Sequence, residues 1–440
     1  MTRTIHNWSR TEQCTPTRLE RPTSEAEVVA IVQEAAAQRL TIKVIGALHS
    51  WSDIAMSDGV VVSLDALQQV LEIDRDRLQV RVQAGIRLER LNSALAAEGL
   101  ALPIIGSVVA QSIAGVMSTG THGSSLVHGN IPSAIVAMRL VTGRGEMLVL
   151  DEGHALLPAA RVGLGALGVI TEVTLSVQPA FTLCETTETI DFDDAVAHMQ
   201  TIARSAEYVK LWWLPHTDAV IVFRAERTLE TGRVSPVARW IDEHIINKVV
   251  FRCVLLLGRW IPGLIAPLNR LVARTYLKPR RVVGRSDKVL SLAMPPQHRE
   301  MEYAIPLGRA GEALRRTREL IETHGLWVNF ITEVRFVRGD DGWMSPATGR
   351  DTCQLGAYMA EAPGVERYFE LFQAAMKTLD GRPHWGKEFH TSTAELAAAY
   401  PDFERFRTLA RQLDPDGVFQ NRFVARLFEV QAAARAAPTR

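Results

Sequence analysis

Three stretches concentrate residues whose types and spacing could do chemistry. In TIKVIGALHSWSD (41–53) an alternating apolar run ends at Gly46, and His49, Ser50 and Trp51 follow where a strand gives way to a loop. A neutral imidazole is a competent nucleophile, so His49 is either an ordinary loop histidine or a reacting one. PIIGSVVAQSIAGVMSTGTHGSS (103–125) interleaves Gly106, Gly115, Gly120 and Gly123 with Ser107, Ser112 and Ser118. Glycine permits positive φ and close approach, and successive N–H groups with hydroxyls form anion-binding nests suited to a pyrophosphate. Neither GxGxxG nor the GK[ST] of a phosphate loop is present, so a plain structural loop stays equally open. In ITEVRF (331–336) Glu333 and Arg335 are two apart and share one face of a strand. Phe330, Ile331, Val334 and Phe336 flank them, so burial is expected, with each charge relieving the other.

The elements that must position these residues are legible in part. TSEAEVVAIVQEAAAQRL (23–40) predicts a helix, with Ser24 and Glu27 as a capping box and Val28, Ile31, Val32 and Ala35 on one face. LTIKVI, GVVVSL (59–64) and LQVRVQA (78–84) predict strands, and RLERLNSALAAEG (87–99) a helix stopped at Gly99. IVAMRLVTGRGEMLVLD (135–151) predicts a hairpin around Gly143 and Gly145, and Pro179 a boundary after GVITEVTLSVQP. Further on, YVKLWWLP (208–215), AVIVFRAERT (219–228), EMEYAIP (300–306) and a long WVNFITEVRFVRG (327–339) predict strands, with a helix over 308–325. This order suggests an α+β layer covering a site.

Composition narrows the function classes. Lysine plus arginine equals aspartate plus glutamate, 49 each, which argues against a general nucleic-acid binder. Four scattered cysteines, at 14, 184, 253 and 353, form no CxxC pair and predict reduced thiols and a cytoplasmic protein. His384 and His390 lie six apart, and no metal site is expected. The N-terminal residues do not read as a secretory signal. The apolar stretch 249–268 carries Arg252 and Arg259 and is broken by Pro262 and Gly263. It predicts a buried or interfacial helix pair rather than a membrane span, with membrane-surface contact the lesser reading.

VIGALHSWSD together with GSVVAQSIAGVMSTGTHGSS resembles the FAD-binding half of the vanillyl-alcohol-oxidase-type flavoproteins. EMEYAIP, ITEVRF, RPHWGKEFH (382–390) and DPDGVFQNRF (414–423) resemble the second half of the sugar-1,4-lactone oxidases in that group, the L-gulonolactone and D-arabinono-1,4-lactone oxidases, with the alditol oxidases as relatives. The resemblance implies an α+β fold. Residues 1–178 would be a two-part FAD-binding domain, and 179–440 an α+β substrate or cap domain with a mixed sheet, its C-terminal segment returning to the FAD domain.

The same resemblance implies the site. His49 would bond covalently to the flavin. Val44, Ile45, Gly46, Ala47, Leu48 and Ser50 would wrap the cofactor, as would Ser107, Ser112, Gly115, Val116, Met117 and Ser118. Gly120, His122 and Gly123 would pass beside its ring, Ile170 would meet the adenine end, and His384 would touch the flavin. Glu333, Arg335 and Lys387 would line the substrate pocket and act in catalysis, with Ser107 and Tyr358 as further substrate contacts. Either Glu333 or Lys387 would take the hydroxyl proton. Ala47–Leu48 departs from the smaller or polar pair of many relatives. The absence of threonine from QLGAYMAE (354–361) favours a lactone over an alditol. Gly106 leaves room for oxygen beside the ring. The implied reaction is oxidation of an aldono-1,4-lactone by hydride transfer to flavin N5, with dioxygen reduced to hydrogen peroxide. An alditol oxidase, a lactone dehydrogenase using a quinone or cytochrome, and a non-catalytic flavin protein are the alternatives.

Overall fold

The period-two alternation of LQVRVQA becomes the strand Gln79–Gln83, in which Val80 and Val82 are buried and Arg81 is exposed. It lies in a five-stranded antiparallel sheet ordered Met147–Leu150, Ile135–Val141, Val169–Ser176, Gln79–Gln83, Val70–Asp74. The computed structural model describes residues 4–232, 234–275 and 278–428. A small parallel sheet places Val60–Ser63 between Arg18–Glu20 and Ile42–Ile45. The helix Glu25–Ala37 buries Val28, Val32 and Ala35, and Leu88–Ala97 buries Leu88, Leu91 and Leu95. The predicted capping box is only half formed. Ser24 accepts from the Glu27 N–H, but the Glu27 carboxylate takes the N–H and hydroxyl of Thr23 instead.

The other large element is an eight-stranded sheet ordered Arg281–Arg285, Thr182–Asp191, Ala219–Thr228, Tyr208–Trp213, Thr332–Val337, Thr352–Met359, Arg299–Pro306, Arg382–Pro383. The mixed sheet expected here is corrected, because every neighbouring pair is antiparallel. Antiparallel sheets can keep two unlike faces, and this one does. Leu211, Val334, Phe336, Leu355 and Met301 pack on one side with helices Ala310–Thr323 and Val365–Lys377. The residues between them face the opposite way.

The long strand predicted over 327–339 is shorter, Thr332–Val337. Upstream, Val328 gives its carbonyl to the Asn269 side chain, and Asn329 Oδ1 takes the Ala360 N–H. Side-chain amides thus replace ladder partners. The last described residues pack on the first core. Ile42 N–H donates to Val418 O, Asn421 donates to the carbonyls of Ile54 and Met56, and Arg422 and Arg426 bind buried Asp53. The stretch 249–268 forms helices Arg252–Trp260 and Ile265–Thr275 broken at Pro262. The pair is not buried. Leu255, Gly258, Ile265 and Asn269 face inward, and most of the remainder is exposed. No helix among the described residues is long and apolar enough to cross a membrane, and the four cysteines are free.

Candidate active site

A cleft of about 890 Å³, mouth included, runs between the small parallel sheet and the Gly/Ser stretch. Val44, Ile45, Gly46, Ala47, Leu48, His49 and Ser50 line it from one side, Ser112, Gly115 and Ser118 from another, and Ile170 closes it. Gly46 is required by close approach, since a Cβ there would collide with Ser112 Oγ. Ser112 caps the helix Ile113–Ser118 by accepting from the Gly115 N–H, and Ser118 donates to Ala114 O. The Val116 and Met117 side chains are wholly buried in the core, and neither residue lines the cleft. Their side of that short helix is the one that anchors it. Gly120, His122 and Gly123 lie outside the cleft lining, and His122 reaches Glu302 of the eight-stranded sheet.

Lys43 was missed by sequence reasoning. It is a cleft-lining lysine within an apolar strand, bonding to the carbonyls of Leu164 and Gly165. Burial lowers its pKa to about 7, against an opposing pull from Asp53.

The His49 loop is held in an unusual shape. Leu48 has φ 57°, a left-handed conformation that costs a leucine about 1–3 kcal/mol. It is fixed by the Trp8 N–H donating to Leu48 O at 2.7 Å. Trp8 stacks on the His49 ring at 5.9 Å. Burial, then the charges of Lys387 and Arg87, lower the His49 pKa to about 4, so the ring is neutral near pH 7. Its Nδ1 is buried and has no hydrogen-bond partner. Such an orphaned nitrogen, on a residue that lines the cleft, fits a cofactor that would engage it. The loop is also laced to the HWGK segment. The Trp51 N–H donates to Gly386 O, Ser52 to Trp385 O, and Lys387 Nζ sits 4.1 Å above the Trp51 ring.

The polar face of the eight-stranded sheet carries the charged cluster. Glu333 Oε1 accepts from Trp212 Nε1 at 2.8 Å and Oε2 from the Tyr358 hydroxyl at 2.8 Å, and Arg335 Nη2 lies 2.9 Å from Oε2. Arg335 also donates to Ser107 Oγ at 2.7 Å, joining the Gly/Ser stretch to the sheet. Burial alone would raise the Glu333 pKa. The charges of Arg335 and Lys210 and these hydrogen bonds overcome it and hold the carboxyl down to about 2. Lys387 Nζ pairs with Glu300 Oε2 at 2.5 Å, and Glu300 Oε1 is buried without a partner. The Arg335 Nε is likewise unpartnered.

Beside them, Glu302 accepts from His122 Nε2 at 2.8 Å, and the His122 and His384 rings meet edge to face at 5.5 Å. No metal was expected, yet donor atoms of His122, Glu302 and His384 come within 4.8 Å of one another. Local spacing could not reveal this, because the carboxylate arrives from another strand. Each ring nitrogen of His122 already faces an oxygen, Nδ1 the Gly123 carbonyl at 2.8 Å and Nε2 the carboxylate. His384 spends Nδ1 on the Gly386 N–H, and burial first lowers its pKa to about 3.

Sequence reasoning found Glu333, Arg335, Lys387, Ser107 and Tyr358, and the structure brings all five into one cluster. It missed Glu300 and Glu302, which alternate with buried Met301 and Tyr303. The two-residue spacing that flagged Glu333 and Arg335 would have flagged them as well. It also missed Gly356, which lies opposite Glu333 and Glu302 in the sheet register. A Cβ at Gly356 would sit 2.9 Å from Tyr358 Cε1. Gly356→Ala is therefore expected to displace Tyr358 and lower stability by about 1–3 kcal/mol. Thermal denaturation checks this, and a melting temperature unchanged within about one degree would refute the packing argument.

Comparison with known proteins places this geometry. Residues 173–427 match the model of the D-arabinono-1,4-lactone oxidase family, and residues 16–151 match an FAD-binding domain. The chain is 35% identical to an L-gulono-1,4-lactone dehydrogenase of Mycobacterium tuberculosis, over 96% of this chain and 98% of the relative. It is 32% identical to the L-gulonolactone oxidase of Bos taurus, with the same coverage. Identity to the D-arabinono-1,4-lactone oxidase of Eremothecium gossypii is 30%, over 94% of this chain and 93% of that one. Among solved structures, a cholesterol oxidase from B. sterolicum superposes with a TM-score of 0.83 at 16% identity, over 97% of each chain, which shows a shared fold. With an FAD-binding domain in front of a lactone-oxidase half, the chain belongs to the D-arabinono-1,4-lactone oxidase family and is an FAD-dependent oxidoreductase.

Proposed function

We propose that this enzyme oxidises an aldono-1,4-lactone (L-gulono-, L-galactono- or D-arabinono-) at the carbon bearing the 2-hydroxyl, with residues 1–178 as the cofactor half, 179–440 as the substrate half, and FAD attached to His49. The observation that carries the reading is the buried Glu333–Arg335 pair and the Lys387–Glu300 pair on one polar sheet face, tied to the His49 loop. The residues lining the cleft would hold FAD, which would supply a hydride acceptor at N5, with dioxygen as the final electron acceptor and hydrogen peroxide as its product. Arg335 and Lys387 donate to the hydroxyl oxygen and stabilise the charge that develops on it, while Ser107 and Tyr358 orient the sugar. Glu333 has both oxygens engaged and a low proton affinity, so it positions Arg335 rather than taking a proton. We assign proton acceptance to the Lys387–Glu300 pair: against burial, the charge of Lys387 lowers the Glu300 proton affinity as well, but Glu300 Oε1, unlike either Glu333 oxygen, has no hydrogen-bond partner.

Peroxide release on a panel of lactones and alditols tests the reading. Alditol turnover without lactone turnover would replace the substrate class, and no turnover of either would remove it. A lactone dehydrogenase using a quinone or cytochrome is the second reading, favoured by the name of the mycobacterial relative. At Gly106 an added Cβ would lie 3.3 Å from His122 O and 3.5 Å from Thr121 Cγ2, a tight but tolerable fit. If the glycine admits oxygen, Gly106→Ala lowers peroxide yield at least about tenfold while dye-coupled turnover changes far less, a barrier difference of about 1.4 kcal/mol. Equal peroxide yield from both proteins would count against the oxidase assignment.

A further inference from the structure

The stretch IHNWSRTEQC (5–14) folds into a short hairpin, Ile5–His6 against Gln13–Cys14. Asn7 closes its loop, donating its N–H to Glu12 O at 3.0 Å and accepting the Glu12 N–H at Oδ1 at 3.1 Å. The loop lies across residues 48–51 and clamps them. The Trp8 N–H donates to Leu48 O at 2.7 Å, Asn7 Nδ2 to Ser50 O at 3.1 Å, and Thr11 Oγ1 to Trp51 O at 3.5 Å. Carbonyls on both sides of His49 are therefore taken by this hairpin, which keeps Leu48 in its left-handed conformation.

The Trp8 side chain completes the clamp. Its ring stacks on that of His49, with centroids 5.9 Å apart and planes at 27°. It is wedged in turn against the Trp51 ring at 5.8 Å and the His298 ring at 5.5 Å, both edge-on. Gln297 Nε2 donates to Ser9 O at 2.7 Å and to Trp8 O at 3.3 Å. Gln297 and His298 lie within the lactone-oxidase match, so Trp8 is braced from both halves of the chain. A histidine ring is usually set by a hydrogen bond to one of its nitrogens. The His49 Nδ1 has none. Stacking fixes the plane of the ring and leaves that lone pair free, which a hydrogen bond to it would not do.

We propose that Trp8 is a positioning residue for flavin attachment: stacked on His49, it aims the free ring nitrogen at the methyl carbon on position 8 of the flavin. The inference rests on the covalent reading of His49. In that step the bond between the His49 nitrogen and the methyl carbon forms, and one C–H bond of the methyl group and the ring N–H break. The two protons and the C–H electron pair reduce the flavin, and dioxygen then takes them up as hydrogen peroxide. A nucleophile gains from being held in line before the bond forms. Trp8 acts through His49 and is asked for nothing else in the chemistry.

The rate of attachment tests this. The full chain, made in a flavin-deficient host, is mixed with FAD in air and sampled into acid, and the flavin that stays with the pellet is followed in time. Trp8→Phe keeps a ring over His49 and should attach FAD within about threefold of the parent rate. Trp8→Leu keeps apolar bulk without a ring and should attach it at least about tenfold more slowly. FAD taken up before acid treatment should match the parent in both variants. A leucine variant that attaches at the parent rate overturns the proposal, as does a phenylalanine variant as slow as the leucine one. A leucine variant that melts well below the parent and loses FAD uptake in step with attachment would make Trp8 a packing residue, which also overturns it. A parent protein that takes up FAD yet gives a colourless acid pellet ends the covalent reading itself, an outcome distinct from the others.

Discussion

Lys387→Ala is expected to slow lactone-dependent bleaching of the flavin absorbance by about 10²–10³-fold, the usual effect of removing one donor to a developing oxyanion. Stopped-flow reduction of the anaerobic enzyme measures it, and the flavin content of the variant should equal that of the parent. A second effect must be separated from the first. Lys387 is the cation paired with Glu300, whose side chain is 4% exposed. Leaving a buried carboxylate without its partner typically costs about 3–5 kcal/mol, so the single variant should also melt earlier. Combining Lys387→Met with Glu300→Gln removes both charges. It should restore most of the melting temperature and leave reduction slow. If the double variant bleaches at the parent rate, Lys387 serves only to neutralise Glu300, and neither of the pair accepts the proton. A parent-like rate in the single variant would take Lys387 out of the chemistry altogether.

His49→Ala should convert an acid-stable yellow protein into one that yields its colour on precipitation. The parent pellet is expected to keep about one flavin per chain, and the variant's flavin to pass into the supernatant. The basis is the His49 ring itself. With a pKa lowered to about 4, chiefly by burial, it is neutral near pH 7. Its Nδ1 lone pair is buried and unclaimed by any protein donor. A nucleophile needs that free pair. Mass spectrometry of the peptide holding residue 49 gives an independent reading, because a covalent adduct adds the flavin mass to it. Colour lost from the parent protein on acid treatment would end the covalent assignment. The FAD site would then rest on the cleft and on the match to the FAD-binding domain.

Much of the fold was legible because its signals are local. Alternation marked Gln79–Gln83 and Tyr208–Trp213, the Gly143–Gly145 turn marked the hairpin, and a leucine stripe marked Leu88–Ala97. The failures share a cause. The strand predicted over 327–339 stops short because Asn269 takes a carbonyl it needed. Glu27 chose Thr23 over its own cap residue. The apolar run at 249–268 read as a buried or interfacial helix pair, and only neighbouring elements decide which face is covered.

The cluster divides in the same way. Glu333 and Arg335 were found because two residues on a strand share a face whatever the tertiary structure does. Glu300, Glu302 and Gly356 escaped notice because their meaning depends on strands far apart in the chain, brought level only by the sheet register. The sequence by itself determined the residue types, the short-range periods and the resemblance of its motifs. Tertiary structure alone decided that Lys387 would meet Glu300, that His122 would sit between the Gly123 carbonyl and Glu302, and that a row of apolar helix residues would be left facing outward. The physical reason is range. Backbone periodicity acts over a few residues, whereas ion pairs and packing act between atoms a few ångströms apart, however distant in the chain.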